Sequence, residues 1–373
     1  MQVDIIIAGK RKNMKKFILI YFCFLPAMAF AKPYKISICP NGLAFDEANT
    51  EVYLAHPETW AKTAKGADLF MCYDANLVDK PWLGNKAVDA KLLVEATKKQ
   101  NLKIGVEFGL FGNKTPTKSQ GKLAAEILFS IIDKIYNAGG SVYSIHLDGP
   151  EYRMLKGLCA TPENGLELDA YTEELLIFFK TVHEKYPEIN IGLIACPHGW
   201  NYDENHYGFH PTFTEGSKLY LKDIHNAVYK KLSEGGEKIA FISVDHPYEF
   251  YTYLKTIDKK HDIDPKATYL LIQDWCKERN IDLMSTIITG PKVHGEFKTL
   301  TADQREKCDI AFEEECLTYI EKLHADGIKP QWFQIQSWYE MPCKYGPETN
   351  ELTFFHTANL CIQRISELYK TEP

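Results

Sequence analysis

The residues of this chain best placed to do chemistry are carboxylates. Asp74, Glu107, Asp148, Asp245 and Glu340 each end or closely follow a short β-rich run, and Glu151 stands three residues beyond Asp148. Two carboxyls held at one place do acid–base work: one keeps a proton and donates it, the other stays ionised as base or nucleophile. Like charges crowded together resist ionisation, so such a cluster points to function, to a metal, or to shared protons. Any one of the six, taken alone, also fits a helix N-cap or a solvated turn. What decides is whether they share one edge of one sheet.

The elements that must position them alternate regularly. Eight β-rich runs cover 34–42, 67–74, 102–109, 142–149, 189–198, 239–247, 281–290 and 331–340. Segments 85–100, 119–140, 166–187, 215–236, 301–327 and 353–370 carry apolar residues at helical spacing. Several end on Gly or Pro, and Thr301 is a natural N-cap. Between the first two runs, 60–66 leaves room for only a short helix. Such alternation implies a parallel sheet, and eight units match a (β/α)8 barrel, which takes about 250 residues or more. A doubly wound open sheet is the rival, but no GxGxxG turn follows the first run. The expected fold is a single α/β TIM-barrel domain over 32–373, with long βα loops at the C-terminal face.

Side chains alternate along a strand, so one set faces the helices and the other the barrel interior. Val142, Tyr143, Ile145 and Leu147 are apolar, while Ser144, His146 and Asp148 share one parity. Ser243 and Asp245 oppose Ala240, Ile242 and Val244; Glu107 opposes Ile104, Val106 and Phe108. Gln334, Gln336, Trp338 and Glu340 oppose Phe333 and Ile335. Each polar set runs to a carboxylate at the C-terminal strand end, where barrel enzymes keep their active sites. Asp148, Asp245, Glu340 and Glu151 are therefore the candidate catalytic residues.

The same edges carry Asn41, His198, Trp200, His246, Tyr248 and Trp338, which with Asp74, Glu107 and His146 form a candidate substrate-binding set. The loop 198–213 is long and aromatic, and His206 and His210 stand at H-x3-H spacing. That spacing lies in a loop and lacks the acid of HExxH, so neither a metal nor another cofactor is expected.

Composition bounds the rest. The chain has 373 residues, 45% hydrophobic and 25% charged, with enough apolar material for a large core. A formal net charge of -7 offers no basic surface for nucleic acid. Lys10, Arg11, Lys12, Lys15 and Lys16 precede the apolar run 17–25 and an Ala29-Phe30-Ala31 site. This pattern reads as a secretory signal peptide over 1–31, with Met14 as an alternative initiator. The run is too short to span a membrane, which takes about 20 residues. The expected location is secreted or periplasmic, with no stable membrane span after cleavage. Nine cysteines follow residue 31, scattered and without CxxC spacing, and read mostly as buried thiols with one or two unassigned bridges.

An exported barrel with carboxylates and aromatics at its mouth resembles the (β/α)8-barrel glycoside hydrolases. The resemblance is one of architecture over 34–370 and identifies no specific family. Asp148 and Asp245 are similar in position to the strand-4 nucleophile and strand-6 acid of the α-galactosidase-like clan. Asn-Glu at the fourth strand, a mark of another large glycosidase clan, is absent: that strand ends His146-Leu147-Asp148-Gly149-Pro150-Glu151. The resemblance implies hydrolysis of an oligo- or polysaccharide by a two-carboxylate acid/base mechanism in an acidic, aromatic-lined cleft. Two alternatives stand beside it: a metal-dependent hydrolase on the same barrel, and a non-catalytic carbohydrate-binding barrel.

Overall fold

The computed structural model describes residues 32–40, 52–78, 87–109, 120–155, 165–206, 219–252, 263–290, 300–337, 341–342 and 344–370. The first half of the barrel comprises β1 (Lys35–Cys39), α1 (Ala61–Gly66), β2 (Leu69–Tyr73), α2 (Ala90–Lys99), β3 (Lys103–Phe108), α3 (Gln120–Asn137) and β4 (Val142–Asp148). Next come the short α4 (Pro150–Met154), α5 (Leu168–Lys185), β5 (Asn190–Ala195), α6 (Leu221–Glu234), β6 (Phe241–Val244) and the short α7 (Tyr248–Thr252). The last part is α8 (Pro265–Glu278), β7 (Asp282–Ile287), α9 (Ala302–Ala325), β8 (Trp332–Gln336) and α10 (Phe354–Leu368). All eight strands are parallel and pair in chain order, and β8 closes on β1. The fold is the (β/α)8 barrel that the alternation implies, and each expected strand falls within its expected run.

Period-2 patterning explains the two faces. Ile36, Ile38, Phe70, Cys72, Val106, Ile145, Leu147, Ile242, Val244, Phe333 and Ile335 pack outward with the helices in the main core. Inside, Leu69, Phe241, Met284 and Trp332 fill the N-terminal end of the barrel, with the Phe241 and Trp332 rings stacked 4.9 Å apart. Gly192 makes room for this plug, since a Cβ there would lie 2.2 Å from the Phe241 ring. Tyr143 departs from the helix-facing set in which the sequence placed it. The β3–β4 register shifts between Ile104 and Gly105, and Tyr143 stacks instead on Trp332 at 6.0 Å. An irregularity of this kind resets alternation locally.

Three helices go beyond the sequence expectation. The sequence reading names no helix between β6 and β7, yet α8 stands there. The Asp264 side chain caps Ala267 N–H at 3.0 Å, Pro265 opens the first turn, and Tyr269, Ile272 and Cys276 are buried at helical spacing. The expected turn at Gly149-Pro150 leads directly into α4, with Gly149 in the left-handed region at φ 48°. The short α7 occupies the corresponding place after β6. Seven cysteines lie among the described residues, and all seven are free thiols. No helix among the described residues is long and apolar enough to cross a membrane.

The loop after β8 is tied back to α1. The Glu348 carboxylate accepts hydrogen bonds from Lys62 N–H (2.9 Å), Thr63 N–H (2.7 Å) and the Thr63 hydroxyl (2.7 Å). These are first-turn donors with no partner inside α1. Glu348→Ala is expected to cost about 1 kcal/mol, because one exposed and two part-buried donors lose a charged acceptor. Urea titration reads this as a lower midpoint at unchanged slope; an unchanged midpoint refutes the cap.

Candidate active site

Four strands deliver carboxylates to the C-terminal mouth. Asp74 opens a 3-10 turn directly after β2, Glu107 is the penultimate residue of β3, Asp148 ends β4, and Asp245 follows β6. Asp245 N–H still bonds Ala195 O at 2.9 Å, so its backbone extends the β5–β6 pairing. Glu151 sits in the first turn of α4, only 4% exposed.

These groups feel one another. Burial pushes Glu107 well above the usual carboxylate range, and the charges of Asp148, Asp245 and Asp74 push it further. Burial, then the Asp148 charge, raises Asp245 to about 7. Glu151 also rises to about 7, from burial and from Asp148. Burial raises Asp148 too, but Arg153 opposes that shift. Arg153 forms an ion pair with Asp148 and donates Nε–H to the Asp148 carbonyl at 3.1 Å. About a quarter of the Asp148 side chain (25%) remains exposed. Gly109 keeps the pair accessible to its neighbours: a Cβ there would lie 3.3 Å from Asp148 Oδ2 and 3.4 Å from Arg153 Nη2. Several acceptors at this mouth are buried with no hydrogen-bond partner, including Glu107 Oε2 and Asp245 Oδ1.

The structure places the remaining candidates in different layers. His146 is fully buried below the mouth, its Nε2 3.0 Å from Ser144 Oγ and its ring 4.4 Å from Phe241. Burial pushes it down to about 3, so it is a neutral imidazole. His198 lies at the mouth: its ring stacks on Phe250 at 4.6 Å, and its Nδ1 is 3.2 Å from the Asp245 carbonyl. His246 is 2% exposed, pushed down to about 3 by burial and by His198. Trp200 is 2% exposed within the main core, and Tyr248 packs near Tyr319 of α9 at 6.0 Å. Trp200 belongs to the main core and the half-buried Tyr248 packs against it. His206 pairs with Asp203 at 2.7 Å. Asn41, Trp338, Glu340 and His210 lie outside the described residues. Among the described residues, no three His, Cys, Asp or Glu side chains gather as a metal site.

Three further groups belong to this mouth and are absent from the sequence candidates. Arg153 is one. Cys196, just beyond β5, is the second: its Sγ lies 3.9 Å from Asp245 Oδ2, and burial with four nearby carboxylates keeps it a neutral thiol. Glu249 of α7 is the third. Its Oε2 accepts Gly290 N–H at 2.8 Å and lies 3.4 Å from the Thr289 hydroxyl, while Oε1 is buried without a partner. Burial, then Glu315, raises Glu249 to about 7. A repeated signal was present: β4 and β6 both run into Asp-x-Pro followed by a five-residue helix, as Asp148-Gly149-Pro150 and Asp245-His246-Pro247.

The fold is a (β/α)8 barrel with carboxyl side chains at the C-terminal ends of four of its strands. No protein-family model matches the chain, and no curated protein matches it in sequence. Similar solved structures include the catalytic domain of a β-amylase from Paenibacillus polymyxa, at 9% identity and TM-score 0.46, covering 82% of this chain and 92% of that one. A β-mannanase from the blue mussel Mytilus edulis aligns at 10% identity and TM-score 0.45, covering 91% and 93%. A sugar phosphate isomerase/epimerase from Parabacteroides distasonis aligns at 11% identity and TM-score 0.42, covering 93% and 100%. Barrels of unrelated chemistry share likeness at this level, and function resides in the residues of the site.

Proposed function

We propose that this chain is an exported glycoside hydrolase that cleaves its substrate with a pair of carboxyls. One observation supports this most: Asp148 and Asp245 occupy the same mouth, both raised by burial, but only Asp148 has a cation opposing that shift. Asp148 has the Arg153 guanidinium beside it, which favours its charged form. Asp245 has no described cation partner, and burial with the Asp148 charge keeps its proton up to about 7. Environments that separate two carboxyls in this way assign the roles of base and acid.

In this reading protonated Asp245 gives its proton to the glycosidic oxygen as the C–O bond breaks. Asp148 either attacks the anomeric carbon or takes a proton from the attacking water. Glu107 and Asp74 hold sugar hydroxyls, while burial and the charge of Asp148 keep the acid protonated. Glu151 is the next candidate acid, and Glu340 remains a sequence candidate. An N-terminal export signal suits an enzyme that meets glycans outside the cytoplasm.

The test uses aryl glycosides whose phenol leaving groups span a range of acidity. Asp245→Asn is expected to slow poor leaving groups by about 10²–10⁴-fold and the most acidic phenols far less, since those need no acid. If neither Asp245→Asn nor Asp148→Asn lowers turnover of any glycoside that the wild type cleaves, the assignment fails.

A further inference from the structure

The charge balance of the mouth reaches further than the choice of acid and base. Glu107, Asp148, Glu151, Asp245 and Glu249 converge there, reinforced by Asp74, and the cation described beside them, Arg153, is engaged by Asp148. Of the other described titratable neighbours, His198 acts as a positive charge on His246. His198 and His246 adjoin Asp245, His246 is buried and neutral, Cys196 keeps its proton, and Glu315 on α9 adds a further carboxyl behind Glu249.

A cluster of acids alone would be an ordinary electrostatic feature, but these acids carry open valences. Glu107 is only 7% exposed, its β3 parity aims it into the barrel mouth, and its Oε2 has no hydrogen-bond partner. Asp245 Oδ1 and Glu249 Oε1 are likewise buried without partners. A buried acceptor left unpaired is costly, and what completes it is a donor. All three open atoms are carboxyl oxygens, which accept once the group is ionised, and the neutral His246 ring, also unpartnered, adds one N–H donor and one acceptor. A ligand's ammonium or hydroxyl groups satisfy the carboxyl oxygens; a ligand's carboxylate, sulfate or phosphate cannot, and meets like charge.

We propose that the mouth selects sugars by charge: it takes amino sugars first, neutral sugars next, and excludes uronic and sulfated ones. This rests on reading the mouth as a sugar site. An ammonium group bound among these carboxyls favours their ionised forms, so binding releases protons. The carboxyls raised to about 7 are Glu151, Asp245 and Glu249, so affinity for an ammonium sugar climbs from about pH 5 to about pH 8. Affinity for a carboxylate sugar falls over the same interval.

Titration calorimetry on the wild-type protein tests this with three methyl 1-thioglycosides, which resist hydrolysis. They differ only at C6, as the hydroxymethyl sugar, its 6-amino-6-deoxy form and its 6-carboxylate, each in gluco, galacto and manno series. The primary amine stays protonated throughout, as that of lysine does. At pH 7 the amine is expected to bind roughly tenfold tighter than the neutral sugar, and the carboxylate roughly tenfold weaker. The amine's binding heat should vary with the buffer's ionisation enthalpy in the sense of proton release. Equal or tighter binding of the carboxylate, or no binding by any of the nine, overturns the proposal. Turnover of aryl glycosides is scored separately. Hydrolysis without the charge ranking overturns this inference and leaves the hydrolase reading standing; the ranking without hydrolysis does the reverse.

Discussion

Asp148→Asn is expected to lower kcat for glycoside hydrolysis by about 10²–10⁴-fold while leaving substrate binding within a few-fold. The amide keeps the volume of the carboxylate and one acceptor oxygen, so the fold has little reason to change. It loses the charge that Arg153 holds in place and the lone pair that attacks carbon or accepts the proton of water. It also removes the strongest neighbouring charge from Asp245. The pKa of Asp245 therefore falls, and the alkaline limb of the residual activity moves to lower pH. Asp148→Ala separates the two chemistries: with added azide, a retaining enzyme forms a glycosyl azide, because the small anion fills the place of the lost nucleophile. Steady-state rates and product analysis decide the matter. Undiminished kcat in Asp148→Asn would remove Asp148 from the mechanism.

Period-2 alternation made much of this site legible. Ser144, His146 and Asp148 share the inward parity read from sequence, and so do Glu107, Gln334 and Gln336, because a closed barrel forces every strand to divide into two faces. Tyr143 escaped that logic: a shift in β3–β4 register leaves no trace in residue types. Trp200 and Tyr248 show a different limit. Their positions just beyond strands suggested sugar platforms; Trp200 is buried in the main core and Tyr248 is half-buried against it, and outside regular structure a residue type carries no direction. Arg153 and Glu249 were hidden for a related reason. Each sits on a five-residue helix, too short for a 3.6-residue period to emerge, so only the repeated Asp-x-Pro marks the place. The helix α8 had the clearest overlooked signal, an Asp N-cap followed by Pro.

Asp245→Asn is expected to abolish most acid catalysis and, at the same time, to stabilise the fold above neutral pH by about 2–4 kcal/mol. In the unfolded chain Asp245 ionises near pH 3.9. In the fold, burial and the Asp148 charge move that event to about 7. Between these values the folded protein retains a proton that the unfolded chain has released, so this group's contribution to stability falls as pH rises through the window. Above about pH 7 the full cost is present; below about pH 4 none of it is. Asparagine cannot ionise and escapes the cost at every pH. Buried His146, His225 and His246, pushed down to about 3, 4 and 3, act in the opposite sense and lose stability as pH falls below about 6.5. They are common to both proteins and cancel in the difference. Urea midpoints at pH 4 and pH 8 therefore isolate Asp245: the variant should match wild type at pH 4 and exceed it at pH 8. A gap that is the same at both pH values would mean that Asp245 titrates normally in the fold. Its proton would then be gone at neutral pH, and the acid would have to be another carboxyl of the mouth, with Glu151 first in line.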